Sequence, residues 1–128
     1  MPPEGRRAIP AISLSMEPAN ITALANDVGT EVIFARQLMA QACPEDIAIG
    51  ISTSGASRNI VMALEEGRKR KLLTVALLGN DGGEIARRGL ADFPIVVRSD
   101  YIPRIQEVQA SAYHTILDTL EVLSSGDA

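Results

Sequence analysis

A chain of 128 residues is the size of one ordinary domain, so a single core is expected and a second independent domain is not. Hydrophobic residues make up 46% and charged residues 22%, a globular balance that suggests neither disorder nor a membrane protein. The formal net charge of -4 gives no broad attraction to nucleic acid. With two Phe, two Tyr and no Trp there is no aromatic platform for stacking bases, so direct nucleic-acid binding is not expected.

No apolar run approaches the roughly 20 residues of a membrane span. The opening "MPPEGRRAIP" lacks the apolar core of a signal peptide, and the single cysteine, Cys43, can form no internal disulfide. A cytoplasmic protein is the expectation. Residues 1–8 and 124–128 read as flexible ends flanking one domain over 9–123.

In chain order, "AIPAISLS" (8–15), "DIAIGIS" (46–52), "LLTVALLG" (72–79) and "FPIVVR" (93–98) are rich in Ile, Val and Leu without strict alternation. Such runs suit parallel strands covered on both faces, and four strands are predicted. Helices are expected between them: "PANITALAND", "TEVIFARQLMAQA" (30–42), "SRNIVMALEEGRKRK" (57–71) and a short "GEIARRG" (83–89). A last helix spans 103–123, with Pro103 at its start. Strand and helix in alternation mark an open parallel α/β sheet with right-handed crossovers. The run "RKRK" (68–71) reads as a solvated helix end near the negative pole of its dipole.

The loops carry the chemistry. Ligands of open α/β sheets bind outside the carboxyl ends of the strands, and Ser52, Thr53, Ser54 and Ser57 lie around Gly55 at such a place. A helix start there presents unpaired N–H groups and a partial positive charge, so these hydroxyls could cradle a phosphate. Alternatively Ser57 caps the helix and the other three decorate a turn. The stretch matches neither a Walker loop nor GxGxxG. In "GNDGGEIA" (79–86) Asp81 is expected to cap the segment that follows, and "AND" (25–27) reads as a helix stop before Gly29. On the last helix, Gln106 and the only histidine, His114, are eight residues apart. That is roughly 12 Å along the axis and about 80° around it.

"GISTSGASRNIVMAL", "ALANDVGTEVIFARQL", "GNDGGEIA" and "RIQEVQASAYHTILD" together resemble the sugar isomerase (SIS) domain family, and within it the phosphoheptose isomerases and the DnaA initiator-associating proteins. The resemblance implies a three-layer α/β/α sandwich, flavodoxin-like or Rossmann-like, with a mainly parallel sheet. It implies a homo-oligomer, dimer or tetramer, and interconversion of sedoheptulose 7-phosphate with D-glycero-D-manno-heptose 7-phosphate. By the same resemblance Ser52, Thr53, Ser54 and Ser57 hold the phosphate, and Asn26 and Asp27 contact the sugar. Gln106 touches substrate and a zinc ion, while His114 is a zinc ligand and an acid/base group.

Against that pattern the chain opens at the family's second strand. A preceding helical region, an "NGGSA"-type loop and a helix with a His and a Glu have no counterpart, and an N-terminally truncated fold with exposed sheet edges is expected. A truncated gene model, a neighbouring chain that supplies the missing parts, and a non-catalytic domain that binds a sugar phosphate or a partner such as a replication initiator all fit. Two positions also depart from the pattern: Pro103 replaces an acidic residue and Gln109 a histidine.

Overall fold

In the computed structural model, which describes residues 8–125, a three-stranded parallel sheet lies between helices. Helix α1 spans Pro18–Asp27; it starts with a proline in its first position and a Glu17 carboxylate that accepts from Ala19 N at 3.1 Å. A 3-10 turn, Thr30–Val32, leads to α2 (Ala35–Gln41), so the single helix predicted over 30–42 is broken near Ile33 and Phe34. Strand β1 (Ile47–Ser52), helix α3 (Arg58–Lys69), strand β2 (Leu73–Gly79), helix α4 (Gly83–Arg87), strand β3 (Phe93–Val97) and helix α5 (Ile102–Ser125) follow. The expected flexible ends lie almost wholly outside the described residues, and α5 continues through two positions of the supposed tail. Among the described residues no helix is long and apolar enough to cross a membrane.

The strands run in the order β1-β2-β3, with Ile51 beside Leu77 and Leu77 beside Ile95. Side chains alternate between faces, and the two faces differ sharply. The even-numbered face is the core: Ala76 and Leu78 pack with Val61 and Leu64 of α3, Ile85 of α4, and Leu90. Close approach of α3 to the sheet depends on small residues. A Cβ on Gly50 would press into Ile60, and one on Gly67 would sit 3.3 Å from Thr74 Cγ2.

The odd-numbered face is covered near its carboxyl end by α5, where Ile105 is fully buried and Leu77 is 1% exposed. Helices therefore lie on both faces, the three-layer arrangement expected. Away from α5 this face is open, with Ile47, Ile49 and Ile51 exposed by 57%, 58% and 53% and Leu73, Phe93 and Ile95 also exposed.

The strand predicted over 8–15 does not form. Residues 8–13 have no regular structure and 14–15 make a turn. A strand exists only where a neighbour completes its ladder, Pro10 has no N–H to give, and Ile9 and Ile12 are exposed. The side-chain amide of Gln37, which donates to the Leu14 carbonyl at 2.9 Å, ties this segment to α2 instead. Of the "RKRK" run, Arg68 and Lys69 occupy the last turn of α3, as the helix dipole favours. Arg68 also donates to the Gly89 carbonyl, and Arg70 pairs with Glu66 at 2.7 Å.

Candidate functional site

The β1–α3 and β2–α4 loops meet at the carboxyl ends of their strands. Gly55 has φ +65°, and a Cβ there would collide with the Gly82 carbonyl. A Cβ on Gly83 would strike Gly55 and Ser54 in return. The two loops thus pack backbone against backbone, and Ile85 N donates to the Gly55 carbonyl at 2.9 Å. Asn80, at φ +52°, uses its side-chain amide to donate to the Thr53 carbonyl (3.2 Å) and its backbone N–H to donate to the Ser99 carbonyl (3.1 Å). One left-handed residue of the type that tolerates this conformation ties the three strand ends together.

Within this frame the hydroxyls converge. Ser52, buried at the last position of β1, has its Oγ 2.9 Å from Ser57 Oγ and 3.4 Å from Ser54 Oγ. Gly55 N donates to Ser52 Oγ at 3.1 Å and Ala56 N to Ser54 Oγ at 3.2 Å. Thr53 is half-buried in the same loop. Ser57 is the N-cap of α3 yet makes no side-chain capping bond; its hydroxyl turns to Ser52 instead. This weighs against the simple capped-turn reading. The cluster sits where the first N–H groups of a 12-residue helix have no intrahelical partner. Beside it a cleft of about 540 Å³ is lined by Thr30, Glu31, Arg58, Asn59 and Met62.

The N-cap position of α4 is Gly82, and Asp81, one residue before it, reaches the helix start with its Oδ1 accepting from Gly83 N at 2.9 Å. The Gly83 N–H, aided by the Arg87 guanidinium, holds the Asp81 carboxyl below its ordinary value of 3.8.

Residues 5–79 match the SIS domain. The chain belongs to the SIS domain family. Its curated relatives include the phosphoheptose isomerases of Geobacter sp. (strain M21), 47% identical over 116 residues, and of Helicobacter pylori (strain P12), 43% identical over 116 residues. Each match covers 91% of this chain and 59% of the relative, so this SIS domain chain spans about three fifths of their length. Among solved structures, a phosphoheptose isomerase from Francisella tularensis superposes with a TM-score of 0.85 at 36% identity, covering 91% of this chain and 61% of that one. The phosphoheptose isomerase from Neisseria gonorrhoeae gives a TM-score of 0.81 at 34% identity, covering 84% of this chain and 60% of that one.

The other candidates of this SIS domain stand on α1 and α5 and share no described hydrogen bond with the hydroxyl cluster. Asn26 and Asp27 close α1, both exposed, with Asn26 Nδ2 donating to Asp27 Oδ1 at 2.8 Å. Gln106 and His114 are exposed on α5, and the His114 ring lies 4.7 Å from that of Tyr113. Among the described residues no group of three His, Cys, Asp or Glu could hold a metal ion. Gln106 and His114 offer two donors where zinc takes four, so the described residues do not by themselves fit a zinc centre.

Sequence reasoning passed over Gln109 as a mere departure. It is buried, and its Nε2 donates to the Leu77 carbonyl at 3.1 Å, fastening α5 to the central strand. Nothing in the local sequence marks it, because its partner is 32 residues away. Asn80 did carry a signal: Asn followed by Asp-Gly-Gly favours left-handed backbone.

Proposed function

We propose that the chain binds a phosphorylated sugar at the hydroxyl cluster and works in an aldose-ketose isomerase that interconverts sedoheptulose 7-phosphate and D-glycero-D-manno-heptose 7-phosphate. The observation that carries this reading is the convergence of Ser52, Ser54 and Ser57 at the start of α3 with Ser57 turned away from capping. Hydroxyl donors, unpaired N–H groups and the positive end of a helix together suit a phosphate. Thr53 would add a fourth hydroxyl, and Asn26 and Asp27 would contact the sugar.

Moving a carbonyl between C1 and C2 takes a proton from one carbon and returns it to the other through an enediol. A positioned side chain that takes up and returns the proton is needed, and the only histidine in the sequence, His114, is the proposed group. In this reading Gln106 contacts the substrate, and both side chains are presented to solvent, open to whatever completes the centre. Zinc belongs to the proposal only as an ion toward which Gln106 and His114 would contribute two donors. No step of the chemistry is routed through it.

A cytoplasmic homo-oligomer, dimer or tetramer, is part of the same proposal. The open odd-numbered face and the exposed Leu117, Leu120 and Leu123 of α5 are apolar surface of the kind that a second copy would cover. A stable monomer on sizing chromatography would count against it.

A second reading, a non-catalytic module that binds a sugar phosphate or a partner protein such as a replication initiator, is favoured by one observation. Among the described residues His114 belongs to no group of three His, Cys, Asp or Glu side chains that could hold a metal ion. Titration with sedoheptulose 7-phosphate together with a coupled turnover assay separates the two. Binding with turnover supports the isomerase, binding without turnover the module, and no binding removes both sugar readings.

A further inference from the structure

We propose that Arg58 supplies the positive charge that the hydroxyl cluster lacks, leaving Glu84 to close on a phosphate held there. The inference rests on the reading of that cluster as a phosphate site. Ser52, Thr53, Ser54 and Ser57 are neutral, whereas a phosphomonoester carries nearly two negative charges at neutral pH. Hydroxyls and a helix end answer only part of that charge.

Arg58 is the first residue of α3, directly after Ser57. A cation at a helix N-terminus opposes the helix dipole, a local penalty that an anion bound beside it reverses. Its side chain is 61% exposed, and Nη1 stands 3.5 Å from Glu84 Oε1, a loose and solvent-screened pair. Glu84 has a better partner: the same Oε1 accepts from Arg88 Nη1 at 2.7 Å, and Arg88 is also bound to Glu65. Glu84 therefore remains paired when Arg58 departs.

The movement required is local. Glu84 stands between Gly83, which packs on Ser54 and Gly55, and Ile85, whose N–H binds the Gly55 carbonyl. Arg58 thus reaches the start of α4, which packs on the loop that carries the hydroxyls. Arg58 also lines the cleft with Thr30, Glu31, Asn59 and Met62, which leaves room for the body of a ligand beside its phosphate. On a phosphate the guanidinium gains charge-assisted, two-pronged hydrogen bonds that its single long contact with Glu84 does not provide.

The test is calorimetric titration of the full chain with inorganic phosphate and with sedoheptulose 7-phosphate, using unphosphorylated sedoheptulose as the blank and thermal melts to confirm folding. Arg58→Ala is expected to weaken both phosphates about tenfold and Arg58→Lys to recover part of the loss. Glu84→Gln, by freeing the guanidinium, is expected to tighten binding by roughly twofold to threefold. Added salt should weaken the wild-type chain more than Arg58→Ala. If Arg58→Ala binds like the wild type while Ser54→Ala and Ser57→Ala bind weakly, Arg58 is excluded and the hydroxyl site stands. If the serine variants also bind like the wild type, or the wild type binds no phosphate, the hydroxyl reading itself is overturned.

Discussion

At the carboxyl ends of β1 and β2 the chain locks two loops together through bare backbone, whereas on α5 it displays Gln106 and His114 on a helix surface with nothing described opposite them. The hydroxyl cluster draws its geometry from residues within about one strand-helix unit, and a left-handed Gly55 and Asn80 brace it. The α5 pair is placed by a single anchoring line, Ile105 and Gln109 against the sheet, and its side chains answer to solvent. An interlocked pair of loops and a pair of solvent-exposed side chains therefore coexist in one chain. In the proposed function the first holds the phosphate, and the second gains meaning only from what faces it.

The harshest way to break this contrast is Gly55→Ala. A Cβ would meet the Gly82 backbone and the residue would be held at φ +65°, so a loss of about 3 kcal/mol or more is expected in urea unfolding, along with phosphate binding. A variant as stable as the wild type would show that the two loops do not brace each other. Next comes Gln109→Ala, which removes the buried bond to the Leu77 carbonyl and leaves a cavity. A cost of about 1–3 kcal/mol is expected, with phosphate affinity retained because no described hydrogen bond joins α5 to the cluster. Loss of that affinity would mean that the two regions are coupled.

Ser57→Ala should cost no more than about 1 kcal/mol of stability, since the side chain caps nothing, yet it should weaken phosphate binding clearly. A large fall in melting temperature with unchanged affinity would reverse the assignment. The mildest effect concerns pH. The backbone N–H and hydroxyl of Thr74 both donate to Asp92, at 2.9 Å each, and hold its carboxyl below the ordinary 3.8. A depressed folded value means that this contribution is present above the unfolded value and lost as pH falls through the folded one. Asp92→Asn should flatten the acid limb of the stability curve, and an unchanged limb would remove Asp92 from the account.

Much of this was legible in the chain. Ile, Val and Leu runs separated by amphipathic stretches specify a parallel sheet with crossing helices, and three of the four expected strands formed within a residue or two of the predicted ends. The fourth, over 8–15, had the composition but no ladder to join, a fact that lies in the neighbours and not in the segment. The serine cluster was visible because its members are close in sequence. Its distinction from a capped turn was not, because the Ser57 hydroxyl has both options until the loop folds.

By itself, then, the sequence determined the α/β class, the alternation of strands and helices and the hydroxyl-rich strand end, since local periodicity and spacing carry that information. Only the tertiary structure decided that Gly55 and Gly83 interlock, that Asn80 and Gln109 hold parts distant in sequence, and that one sheet face is packed while the other lies largely open. Those outcomes depend on contacts between segments 27 to 32 residues apart, and the pattern within either segment does not encode its partner.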